Sequence, residues 1–228
     1  MRLLVFALIL MTVISVPAQT SFDTAAQNAK EGQYEKALEN YRHVLDSQPG
    51  KQLSVKAHFN IGVCLYHLNR PQKAVEEYQK AIELSGGKYQ KAFYALGMAQ
   101  VALGDKNKAV AAFYEAVRLD KNDGEAWFDL AMVLLASSAE KDYDSAVAAF
   151  ENAAKNGSVS TADAVNNIGV IAAIKGDVIT AENNFKKALM LSKGNSLEAA
   201  NNLNICAKLK QYSYKELAAK LTFSGKKI

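Results

Sequence analysis

Few residue types in this chain are spaced for chemistry. His58, Cys64 and His67 share one stretch, HFNIGVCLYH, and Cys64 stands three positions before His67. A helix would bring that pair onto one face, as a zinc site needs. No Asp or Glu joins them there, and both His58 and Cys64 fall at positions that recur as packing sites further along the chain. Ordinary burial therefore competes with metal ligation and is the better reading; no metal or other cofactor is expected. Cys64 and Cys206 are the two cysteines. Serines gather in turn-like stretches, as at Ser137 and Ser138, where they read as turn formers rather than as nucleophiles. The asparagines are more informative. Asn166 and Asn167 open the apolar stretch AVNNIGVIAAIKGD, Asn201 and Asn202 open AANNLNICA, and Asn60 precedes Ile61-Gly62. An Asn side chain both donates and accepts, so it can pair with the backbone of an extended chain without reading its side chains.

The elements that must position these groups are visible when the chain is laid over itself. Five segments carry an alanine, an aromatic four residues later and a small residue three further on: Ala37-Tyr41-Val44, Ala74-Tyr78-Ala81, Ala109-Phe113-Ala116, Ala146-Phe150-Ala153 and Ala181-Phe185-Ala188. The alanines stand 35 or 37 residues apart. A second pattern precedes each of the last four, with a bulky residue, an aliphatic three later and a small residue next: His58-Ile61-Gly62, Phe93-Leu96-Gly97, Trp127-Leu130-Ala131 and Val165-Ile168-Gly169. Gly104-Asp105 and Gly176-Asp177 close two of these stretches as helix-ending turns. Two helices approach closely only where their facing side chains are small. One such pair cannot bury its own apolar face, whereas stacked pairs bury each other's. Cys64 and Cys206 hold equivalent places four repeats apart. At about 10 Å per stacked layer, that separation is far beyond the roughly 7 Å Cα limit for a disulfide.

The double pattern resembles the tetratricopeptide repeat family, over roughly residues 20–221 and in register in five second helices and four first helices. The resemblance implies an all-α fold, a right-handed superhelical solenoid of antiparallel helix pairs. It also implies protein–protein recognition in a concave groove lined by first helices, without catalysis. The expected organisation is a signal peptide at 1–18 and a single solenoid at 19–228. Repeats are expected at 20–49, 55–86, 90–122, 124–157 and 162–192, with capping helices at 196–223. The final unit departs from the pattern, with Asn204 where Gly is usual, as suits a terminal repeat that covers an apolar end.

On this arrangement the outward strips of the first helices form the groove. The candidate peptide-binding residues are Lys56, Phe59, Asn60, Lys91, Tyr94, Met98, Phe128, Met132, Asn166, Asn167, Asn201 and Asn202. The amides would hold a peptide backbone, and the aromatics and methionines would offer adaptable apolar area. Lys56 and Lys91 lead two N-terminal strips, while Glu125, Asp163 and Glu198 lead the last three, which suggests a ligand of opposite polarity. Some members of the family grip a terminal carboxylate with Lys and Asn. Asn60 and Lys91 match part of that clamp, but Ala95 and the opening helix do not supply the rest.

Composition agrees with a globular chain: 50% hydrophobic and 22% charged residues, with a formal net charge of +4. The small basic excess is scattered, so nucleic acid is not an expected partner. The first residues, MRLLVFALILMTVISVPAQT, place Arg2 before an apolar run from Leu3 to Val16 and then Val16-Pro17-Ala18. That order reads as a cleaved secretory signal cut after Ala18, too short to span a bilayer. Together with the NNIG-like helices it resembles exported bacterial tetratricopeptide repeat proteins, and that resemblance implies a periplasmic or secreted protein with no membrane span in the mature chain. The expected partner is a protein or peptide, in a scaffold of envelope assembly. The competing reading is a structural repeat protein that self-associates and leaves its groove empty. An enzyme would need titratable groups converging in a pocket, and the groove strip is mostly apolar residues and amides. Alkylation of the unfolded, unreduced protein is expected to add a label at each of Cys64 and Cys206. A mass without added labels would place the two in a disulfide and overturn the register.

Overall fold

The computed structural model describes residues 18–136, 140–157, 161–207 and 220–224. They form eleven helices and no strand: α1 Ala18–Lys30, α2 Tyr34–Asp46, α3 Lys51–His67, α4 Pro71–Leu84, α5 Gln90–Ala102, α6 Lys106–Leu119, α7 Gly124–Leu135, α8 Glu140–Lys155, α9 Thr161–Ile174, α10 Val178–Leu191 and α11 Leu197–Ala207. Each helix packs mainly on its neighbours in the chain. First helices of successive pairs also touch, α1 with α3, α3 with α5 and α9 with α11. This is an all-α solenoid.

The turns explain why the pairs form. The first helix of a pair ends at a residue in the left-handed region: Gly32, Asn69, Gly104 and Gly176, with φ between 56° and 86°. The next amide then donates back to a carbonyl five residues earlier, Gln33 to Asn28, Arg70 to Leu65, Asp105 to Gln100 and Asp177 to Ala172, each at 2.9 Å. That closure satisfies carbonyls the helix end would orphan. In the Gly-Asp turns the aspartate at once caps the following helix. Asp105 accepts from the Lys108 amide at 3.2 Å, and Asp177 from Thr180 at 3.0 Å.

The core is the repeated triad. Every alanine, aromatic and small residue of the five second-helix triads is 2% exposed or less. The small residues of the first helices have a more specific role than close backbone approach. A Cβ built on Gly62 would lie 2.5 Å from a ring carbon of Tyr78. At Gly97 and Gly169 the corresponding distances to Phe113 and Phe185 are 2.7 Å. The glycine thus seats the aromatic of its own pair.

The outer surface of that seat is also patterned. The residue three before each small residue meets the same aromatic, edge-on or tilted, in the first four pairs. These contacts are Phe22–Tyr41 at 5.2 Å, Phe59–Tyr78 at 5.9 Å, Tyr94–Phe113 at 5.7 Å and Phe128–Phe150 at 5.4 Å between ring centres. In the fifth pair that place is held by Asn166.

The expected signal peptide lies outside the described residues, apart from Ala18, where α1 begins. The expectation of capping helices across 196–223 needs correction at its far end. Residues 221–224 are not helical, because their backbone groups are paired with side chains of the first helices instead. Cys64 and Cys206 are buried and free, and burial pushes each thiol up to about 11. Among the described residues, no helix is long and apolar enough to cross a membrane.

Gly97→Ala is expected to lower stability by about 1–3 kcal/mol, because the fully buried Phe113 ring must move. The fourth pair is already built around Ala131, so Ala131→Gly should cost no more than a few tenths to about 1 kcal/mol of helix propensity. Urea midpoints of the two variants check the contrast.

Candidate functional site

The first helices present two different surfaces along the solenoid. The first is an apolar cleft of about 380 Å³ between α3 and α5. Its floor is Phe59, Val63, Tyr66, Tyr78, Tyr94, Ala95 and Met98, and its rim carries His67, Gln90, Lys91 and Asp123. The polar rim is tied down. Gln90 donates to Asp123 at 2.7 Å, and the Tyr94 hydroxyl donates to Asp129 at 2.5 Å. Burial first, then the Asp129 carboxylate, push the Tyr94 phenol well up, so it remains a donor across the whole ordinary pH range. Each bond reaches into the following repeat, and together they fix the cleft wall.

The second surface lies on α9 and α11 and is built from amides. Asn166, Asn167 and Asn202 are fully buried. They are buried because residues 221–224 of the same chain lie over them. Asn202 pairs with Thr222 in both directions, accepting from its amide at 2.9 Å and donating to its carbonyl at 2.7 Å. Asn167 does the same with Ser224, accepting at 2.7 Å and donating at 2.9 Å. Asn166 bridges the two, donating to the Thr222 carbonyl at 3.2 Å and the Ser224 hydroxyl at 2.9 Å, and accepting from Asn202 at 3.0 Å. Leu221 and Phe223 pack on the cluster of Val170, Phe185 and Cys206, and Phe223 also reaches the cluster of Phe128, Leu130 and Phe150. The Ser224 hydroxyl hydrogen-bonds Asp163 as well. Burial, then the nearby Glu198 charge, push the Asp163 carboxyl up, against that hydrogen bond.

The twelve candidate groove residues therefore separate. Phe59, Lys91, Tyr94 and Met98 meet in the open cleft. Asn166, Asn167 and Asn202 meet under the 221–224 segment, with Met132 beside Asn167 at 3.6 Å. Phe128 is only 4% exposed and belongs to the core, edge-on to Phe150. Asn201 is exposed, one helical step away from the amide cluster. Asn60 is half-buried outside the cleft lining. Lys56 lies in a separate hollow with Lys51, Val55 and Lys88, so it does not join Lys91. Sequence reasoning places Asp129 on the outward strip of the fourth unit without giving it a role, and it missed what the 221–224 segment does. The Leu-Thr-Phe-Ser run, with apolar residues two apart, was the one available signal.

The three residues considered for a metal point to other partners. His58 hydrogen-bonds Glu77 at 2.7 Å, His67 stacks on Tyr34 at 4.4 Å between ring centres, and Cys64 is buried in the core. Burial alone would push the Glu77 carboxyl up. Hydrogen bonds from His58 and Lys80 outweigh it and hold the carboxyl below its usual range.

Comparison with known proteins agrees with the geometry. Tetratricopeptide repeat patterns match residues 29–89 and 138–196, and another matches 90–123. The chain belongs to the tetratricopeptide repeat family, and so to its protein-interaction scaffolds. A rat protein described as FK506-binding protein-like is 32% identical over 87 residues, 38% of this chain and 25% of that protein. The chain thus spans about a quarter of the curated relatives it matches. The crystal structure of MamA superposes with a TM-score of 0.65 at 24% identity, covering 74% of this chain and 94% of that one. The structure of YrrB, described as a TPR protein with an unusual peptide-binding site, gives 0.64 at 24% identity over 86% and 92%. At these identities the superpositions speak for the fold.

A depressed carboxyl pKa adds stability above the unfolded pKa and loses it as pH falls through the folded value. Glu77→Gln should therefore cost about 1–2 kcal/mol at pH 7 and less at acid pH, where the native chain has already lost the ionised pair. Thermal melts of both proteins across the acid range check the convergence.

Proposed function

We propose that this chain is a non-catalytic scaffold that binds an extended peptide or protein segment along its first helices, with the α3–α5 cleft as the open entry site. The observation that carries the reading is the contrast in chemistry along the first helices: an apolar floor in the α3–α5 cleft, and amides on α9 and α11 aligned to hold a backbone. Met98 and the rings of Phe59 and Tyr94 would take apolar side chains, and Lys91 an acidic neighbour. The description of YrrB as peptide-binding supports the class of ligand. The apolar run between Arg2 and Ala18 supports export, and with it a role in holding parts of a bacterial envelope assembly together.

A second reading has its own observation. Ile179, Met190 and Leu197 are 78%, 80% and 69% exposed, large apolar side chains on α10 and α11 through which copies could associate. Light scattering on Ile179→Lys, Met190→Lys would then show lower mass than the parent at equal concentration.

The groove reading is tested by panning a random peptide display library on the full chain and measuring selected peptides by fluorescence anisotropy. Met98→Ala should weaken them by about tenfold, as removal of a buried anchor does. Lys91→Glu should weaken acidic peptides most at low salt. Failure to select any peptide, or affinities that both changes leave intact, would overturn the proposal.

A further inference from the structure

The amides of α9 and α11 do not merely fasten the end of the described chain. Their pairing has the form of strand addition. Asn167 and Asn202 are equivalent positions one repeat apart, and each makes the two-way amide pair that a neighbouring β-strand would make. The residues they read, Thr222 and Ser224, are two apart. Two residues span about 7 Å only when nearly extended, which is close to the shortest separation of packed helices. The amides therefore select an extended backbone, and they run it opposite to the order of the repeats. Side-chain demands fall on three of the four positions. Leu221 and Phe223 are seated on core clusters, the Ser224 side chain is enclosed, and Thr222 is exposed.

Resting on the groove reading above, we propose that this amide ladder is a second peptide site. Its ligand is an extended segment of the pattern aliphatic, any residue, aromatic, small hydroxyl residue. The 221–224 segment occupies it in cis and is displaced by a partner carrying the same pattern. The geometry supplies the reason for exchange. The Asn167 and Asn202 hydrogen bonds go to backbone groups that every peptide has, Asn166 and Asp163 add bonds to the one hydroxyl, and the shape is set by two apolar side chains and one small one. A partner segment can reproduce every one of these contacts. The cis segment competes only through its tether, which acts as a local concentration in the millimolar range.

The probe is a fluorescein-labelled peptide of residues 220–225, KLTFSG, measured by polarisation against full-length chains. Thr222→Pro removes the amide that donates to Asn202, and Phe223→Ala removes the aromatic anchor, so together they open the site. The opened chain should bind the probe at least about tenfold more tightly than the native chain, the gain expected when a tethered competitor is removed. Asn167→Ala or Asn202→Ala in the opened chain should abolish binding. A probe N-methylated at the nitrogen equivalent to Thr222 should bind at least about tenfold more weakly than the parent probe, since a lost hydrogen bond leaves a buried acceptor unpaired. That arm alters no protein residue, so it stands even if an Asn variant fails to fold. An opened chain of unchanged helicity that binds the probe no better than the native chain overturns the proposal, as does equal affinity for the methylated probe. A native dimer that dissociates on Phe223→Ala would also overturn it, by placing the segment in a second copy. Display-selected peptides that still respond to Met98→Ala in any of these outcomes leave the cleft reading intact and confine the failure to the ladder.

Discussion

The seating of one aromatic ring on one small residue is the contact on which this solenoid depends. Tyr78 lies over Gly62, Phe113 over Gly97 and Phe185 over Gly169, each so closely that a methyl group would clash. The ring fills a space that the glycine leaves, and it sets how near the second helix stands to the first. Because the aromatic recurs every 35 or 37 residues opposite a small residue, the pairs stack in one register and bury each other's faces. Everything else on the molecule is placed relative to that contact.

One consequence is that the position three residues before each small residue always lies at the outer edge of the aromatic. In four pairs an aromatic stands there and packs on the ring. In the fifth pair Asn166 stands there. An amide at a site shaped for a ring cannot remain buried without partners, since an unpaired buried amide costs several times what a hydrogen bond contributes. Its partners come from Asn202 on α11 and from Thr222 and Ser224. A substitution that would destabilise an isolated helix pair instead creates a place where extended backbone can dock.

The two surfaces differ in physical kind. The α3–α5 cleft is apolar and stiffened at its rim by bonds to the next repeat, Gln90 to Asp123 and Tyr94 to Asp129. It would recognise side chains by area. The α9–α11 ladder is polar and enclosed, and recognises main chain by hydrogen bonds.

Much of this was legible in the residues. Helix pairs, the buried triads, the Gly-Asp turns and the free cysteines follow from spacing and residue type, because those signals are local or repeat at fixed intervals. The amide chemistry of Asn166, Asn167 and Asn202 was legible too, as a property of the side chains. What they hold was not. Residues 222 and 224 lie more than fifty positions from Asn166 and Asn167 and carry no repeat pattern, so no periodicity links them. Likewise, only packing could separate Phe128, enclosed against Phe150, from Phe59 and Tyr94, which share its register and line a cleft. Periodic contacts are written into a repeat sequence; a contact made once, across the stack, is decided by which surfaces folding leaves open to each other.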